Sequence, residues 1–231
     1  MKTDLINKSA FFILLIIGQL LPGCKKNESD PTKVIDKDGN SYNIITLGTQ
    51  KWMKENLRTT KYNDGSTITE VTADDVWKTT ENGALCWYNN DAAKYKESYG
   101  ALYNWYTVGT GKLCPAGWHV PTKDDWTNLI FYEAGYLVAG GRLKEADTTH
   151  WASPDGIRNF PDNNESGFTA LPGGYRSNSF FYGLRVTGLW WTSTSDLSAS
   201  SWAVSMYNDV DQTLTSTYIY SLGVSVRCIK D

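Results

Sequence analysis

The sequence predicts an α+β domain on an antiparallel sheet. Short runs rich in Val, Ile and Tyr, cut by turn signals, open and close the chain, and two segments with helical spacing sit between them. Strands, then helices, then strands, without a regular βαβ alternation, favour antiparallel pairing.

The first strands are expected in VIDKDGNSYNIITLGTQKWM, 34–53, where Asp38-Gly39-Asn40 and Gly48 mark the turns of a hairpin or meander. Residues 58–83 are polar, with turns at Asn63-Asp64-Gly65 and Asn82-Gly83, and are expected as a long loop before a strand at 84–88. A helix is expected over 99–108, because Leu102, Trp105 and Tyr106 fall at i, i+3 and i+4 and Gly109 follows as a stop. The second helix follows Pro121, with Thr122 as N-cap and Asp125 three residues on in a capping box. Its apolar face is Trp126, Leu129 and Ile130, and a shorter helix is expected over 137–145. After Trp151 the chain is rich in Pro, Asn and Gly, and strands are expected at 167–171, 189–194, 201–206, 213–220 and 223–230. In the last of these Val224, Val226 and Cys228 share a face by alternation.

The N-terminus carries a different signal. Lys2 and Lys8 precede an uncharged, mostly apolar run from Ala10 to Leu21, too short to span a bilayer as a helix of roughly 20 residues. A charged start, an apolar core and a small-residue cleavage site define a secretory signal. Here the site, Leu21-Pro22-Gly23-Cys24, resembles the bacterial lipobox, with Pro22 replacing the usual small residue. Residues 1–23 are therefore expected to be removed and Cys24 to carry the lipid, which anchors the protein to a membrane without spanning it. Residues 24–33 follow as a polar, flexible tether, and 34–231 as a single domain. Lys25 is not the aspartate that holds enteric lipoproteins at the inner membrane, so the outer membrane is expected. Its outer face, the cell surface, is preferred, with the periplasmic face left open.

The formal charge of the chain is −3; loss of two lysines and one aspartate with the signal moves it to −4. A mildly acidic domain has no electrostatic footprint for nucleic acid. Ten Trp and fourteen Tyr supply packing and, in part, stacking surfaces for a ligand. Beyond Cys24 the cysteines are Cys86, Cys114 and Cys228, an odd number in an oxidising compartment, so at least one is free or pairs outside the chain. No C-x-x-C spacing and only two histidines, His119 and His150, argue against a zinc site, and no metal or other cofactor is expected. No nucleophile elbow, phosphate loop, dinucleotide fingerprint or zinc-protease motif occurs, so no catalytic residue is assigned and a non-enzymatic protein is expected. Glu70, Asp74 and Asp75 lack calcium-loop spacing and are expected as a solvated face, and His119 as a structural histidine.

Several strings occur together: DKDGNSYNIITLGTQKWMKENL (36–57), KYNDG (61–65), CWYNND (86–91), YGALYNWY (99–106), CPAGWHVPTKDDW (114–126), GGRLKE (140–145), GFTALPGGYR (167–176), WWTSTS (190–195) and GVSVRCIKD (223–231). In this order they resemble the Fibrobacter succinogenes major paralogous domain, frequent in lipoproteins of the Bacteroidetes and Fibrobacteres. That family is in turn similar to the formylglycine-generating, sulfatase-modifying enzymes. The resemblance implies a C-type-lectin-like architecture, with an antiparallel sheet, two or three helices and long loops. The enzymes use a copper ion on a close cysteine pair; no such pair is evident here, so the activity is not carried over.

The resemblance also implies a disulfide between Cys114, before the second helix, and Cys228, on the closing strand, with Cys86 left free. It implies a binding or adhesion module for a carbohydrate or a surface protein. The rival is a divergent sulfatase-modifying-factor-like or carbohydrate-active enzyme. Lectin-like folds bind through long loops, which directs attention to 172–191, where Tyr175, Arg176, Tyr182 and Trp191 offer stacking faces and a donor fork. The competing expectation is that Trp190 and Trp191 alternate on a strand with one facing the core, and that Gly173-Gly174-Tyr175-Arg176 only turns a corner.

Overall fold

A computed structural model describes residues 30–153, 163–196 and 199–231. Residues 1–29, which hold the segment expected as signal, Cys24 and the first part of the segment expected as tether, lie outside the described residues. The strands are β1 (Lys33–Ile35), β2 (Ser41–Leu47), β3 (Gln50–Met53), β4 (Thr69–Glu70), β5 (Ala84–Cys86), β6 (Leu102–Tyr103), β7 (Trp118–His119), β8 (Gly173–Ser177), β9 (Phe180–Leu184), β10 (Thr187–Ser195), β11 (Ser200–Tyr207), β12 (Thr213–Ile219) and β13 (Ile229–Lys230). The helices are α1 (Asp74–Thr79), α2 (Ala92–Tyr99), α3 (Trp105–Val108), α4 (Lys123–Tyr132) and α5 (Ala139–Leu143).

The expected α+β class holds, with the strands in several sheets. β1-β2-β3-β13-β7 form the largest, β10-β11-β12 the second, β4-β5-β6 a third and β8-β9 a hairpin. Every pair of named strands is antiparallel except β4 with β5. The meander at 34–53 forms as expected, its turns carried by Gly39 and Gly48 in the left-handed region that glycine tolerates. Lys33 already pairs with Asn43, so the sheet begins inside the segment expected as tether.

α4 matches its prediction in detail. The Thr122 hydroxyl accepts from the Asp125 N–H at 3.1 Å, and the Asp125 carboxylate accepts from the Thr122 N–H at 2.9 Å, which closes the capping box. Trp126, Leu129 and Ile130 are buried.

Other expectations are corrected. The helix expected over 99–108 is broken at Gly100 (φ 76°), where a Cβ would stand 2.7 Å from the Leu57 carbonyl oxygen. The chain instead ends α2 at Tyr99, forms β6, and restarts as α3 with the Asn104 side chain capping the Thr107 N–H at 3.1 Å. The loop expected over 58–83 contains β4 and α1, a helix too short to show a periodicity, with only Trp77 buried. No strand forms over 167–171, and 173–184, expected as loop, is the β8–β9 hairpin.

The closing segment differs most. Only Ile229–Lys230 are strand, although residues 222–229 are all buried. Val224 exchanges hydrogen bonds with Tyr103, and the Ser225, Val226 and Cys228 carbonyls accept from Trp191, Leu57 and Met53. Gly223 likewise exchanges hydrogen bonds with Arg176 of β8, so one stretch of chain links strands of four sheets and alternation does not separate an inner face from an outer one.

The core has three parts. The largest surrounds Met53, Trp87, Tyr103, Trp191, Val224, Val226, Cys114 and Cys228. The second holds Trp52, Trp126, Trp151, Phe168 and Trp190. The third holds Trp77, Cys86, Tyr88, Tyr95 and Tyr99. β10 separates the first two: alternation sends Trp191 into one and Trp190 into the other, so both tryptophans are core residues. Among the described residues no helix is long and apolar enough to cross a membrane.

Candidate functional site

The β8–β9 hairpin carries two of the four residues singled out in 172–191 on one face, Tyr175 half-buried against the largest core and Tyr182 exposed. Tyr175 and Tyr182 are directly opposed, and their rings stack at 5.5 Å and 28°. Phe180, two residues before Tyr182, shares that face, with its ring 6.2 Å from Tyr182. Phe180 is 63 % exposed and Tyr182 45 %. The hairpin's inner face is packed: Phe181 lies 5.3 Å from Tyr88. Asn178, at positive φ, turns the chain into β9, and Phe180 was detectable from its alternation with Tyr182. Burial pushes the Tyr175 phenol above its ordinary value, and Tyr207 and Tyr182 are its charged-state neighbours. Burial also pushes Tyr218 up to about 12, reinforced by Tyr207, which hydrogen-bonds it. The hairpin therefore adjoins a group of tyrosines on β11 and β12.

Arg176 and Trp191 are corrected: each has 0 % exposure. The Arg176 guanidinium donates to the Val71 carbonyl (2.7 Å), the Thr72 carbonyl (3.1 Å) and Asp74 (2.8 Å), and lies between the Trp77 and Phe181 rings. Its fork holds β8 to the segment before α1. Trp191 Nε1 donates to the Tyr103 carbonyl at 2.9 Å. Neither side chain can reach a ligand at the surface. The same contacts give Asp74 a structural role beyond solvation, and Glu70 accepts from Trp87 Nε1 at 3.1 Å.

Cys114 and Cys228 form a disulfide with Cα atoms 6.0 Å apart. It lies within the largest core. Cys86 is a buried free thiol, pushed up to about 12 by burial, so it stays protonated and packs as a small apolar group.

His119 stands between two carboxylates, with Nδ1 2.6 Å from Asp231 and Nε2 3.4 Å from Asp125. The two acids contact opposite ring nitrogens and do not converge on a common point. Among the described residues no group of three or more His, Cys, Asp or Glu side chains is placed to hold a metal ion.

These features define a disulfide-linked mixed α/β domain with an aromatic hairpin at its surface. The Fibrobacter succinogenes major domain model matches residues 45–230, and the chain belongs to that family. No curated protein and no solved structure matches it.

Proposed function

We propose that this protein is a non-enzymatic lipoprotein of the outer membrane whose domain binds carbohydrate at the cell surface through the β8–β9 hairpin. The observation that carries the reading is the aromatic stripe Tyr175–Tyr182–Phe180. A two-stranded hairpin packed on one face ordinarily turns polar side chains to water on the other; this one turns rings outward. Flat exposed rings offer stacking faces to the apolar faces of sugars, and tyrosine adds a polar hydroxyl beside them. A C-type-lectin-like arrangement accords with the antiparallel sheets and the long connections. The enzymatic alternative gains less support. Cys114 and Cys228 are a crosslink inside the core, Cys86 is solitary, and the acids around His119 point at separate atoms.

The test is a glycan array probed with the full chain, followed by titration of the best glycan against Phe180→Ser/Tyr182→Ser. Each stacked ring contributes on the order of 1 kcal/mol, so affinity should fall about ten- to a hundredfold while the melting curve stays put. Unchanged affinity in the double variant would remove the hairpin from the site. An array without a hit would remove carbohydrate and leave a protein ligand.

A further inference from the structure

An open cleft of about 410 Å³ lies between the start of α4, the α4–α5 connection and one face of the β11–β12 pair. That volume falls in the range of small-ligand sites, roughly 300–1,000 Å³. None of its lining residues belongs to the β8–β9 hairpin. Trp202 of β11 pairs with Thr217, so by alternation Thr213 and Thr215 share its face. Unlike Trp190 and Trp191 on the neighbouring strand, Trp202 is enclosed by no core and is only partly buried. Lys123, the first residue of α4, holds its Nζ 3.5 Å over the centre of the Trp202 ring. It is the one charged residue lining the cleft, it is partly buried, and it has no ion pair among the described residues. At the wall, Thr213 is 1 % exposed and its hydroxyl has no hydrogen-bond partner among the described residues. Gln212 stands exposed at the rim.

We propose that this cleft binds an acidic sugar, one hexuronate residue of a glycan, at a site separate from the hairpin. An unpaired cation with no acid beside it selects an anion. A tryptophan face selects a ligand with a flat apolar side, and the amide and hydroxyls select one rich in oxygen. A hexuronate combines all three: its carboxylate accepts from the Lys123 ammonium, its apolar face stacks on Trp202, and its hydroxyls meet Gln212 and Thr213. Without a ligand the ammonium covers the ring. A carboxylate draws the flexible side chain aside, replacing a cation–π contact with the stronger charge-assisted hydrogen bond and freeing the ring face for the sugar. The orphaned Thr213 hydroxyl gains a partner once it turns about χ1 into the cleft. The site goes beyond the hairpin reading and does not rest on it.

The full chain is titrated with oligosaccharides of galacturonate, glucuronate and mannuronate, each beside its carboxyl-reduced, neutral counterpart. At least one acidic member should bind about tenfold more tightly than its neutral form, the effect of one hydrogen bond to a charged group. Lys123→Met keeps the length of the side chain and removes the charge; it should melt as the parent does and bind the two forms equally. Trp202→Leu should weaken both forms about tenfold. Phe180→Ser/Tyr182→Ser should leave the preference for the acidic form intact, which separates a failure of this site from a failure of the hairpin. Equal affinity for every acidic glycan and its neutral form overturns the proposal, as does the absence of binding to all of them. A preference that survives Lys123→Met, an affinity untouched by Trp202→Leu, or a preference lost in the hairpin variant overturns it too.

Discussion

Cys114 and Cys228 lie 114 residues apart, so the bond between them removes a large share of the unfolded chain's freedom. In the chain-entropy model a loop of that size contributes about 5 kcal/mol. Reduction of the native protein should move the urea midpoint sharply down, and Cys114→Ser/Cys228→Ser should reproduce the shift without reductant. Coincident unfolding curves with and without the bond would refute that role. The pair was legible because the family resemblance set Cys114 beside the closing strand. Arg176 was not legible in the same way. Its partners Val71, Thr72 and Asp74 are more than 100 residues away in sequence, and a charged side chain between Tyr175 and Ser177 carries no local mark of burial. Trp191 misled for a related reason: alternation says that Trp190 and Trp191 face opposite ways, but not that a second core waits on the other side.

At the scale of elements, what is capped locally was readable and what is set by tertiary neighbours was not. The start of α4 is fixed by Thr122 and Asp125, and both ends of that exchange lie within four residues. Thr122→Ala should cost about 1 kcal/mol of stability, the usual loss for an N-cap hydroxyl, with α4 otherwise intact. A denaturant titration at constant slope checks it; a stability unchanged within error would mean that water replaces the hydroxyl at no cost. By contrast, the break at Gly100 is imposed by the Leu57 carbonyl pressing on the backbone. The apolar spacing across 99–108 therefore suggested one helix where the chain forms the end of α2, β6 and α3. The short α1 and the β8–β9 hairpin escaped detection because each buries few residues of its own and relies on distant chain to cover them.

For the whole molecule, the order of strands, helices and strands was enough to give the class, while the division into several sheets was not. That division follows from residues 222–229, which run buried between sheets and bond to strands of several of them. The same scale governs where the domain sits. Lys33 is fixed in β1 by its pairing with Asn43, and it lies nine positions after Cys24. Even fully extended, that length reaches only about 30 Å. A lipid on Cys24 would hold the domain within one domain diameter of the bilayer, and several acyl chains make such attachment durable where one gives only marginal binding. Cys24→Ser should consequently release a folded domain from the membrane fraction into the soluble fraction, with its melting curve unchanged because the substitution falls nine positions before β1. Retention of the variant in carbonate-washed membranes would refute the anchor. Release of the wild-type chain by the same wash would do so equally, since it would show that no lipid holds the domain.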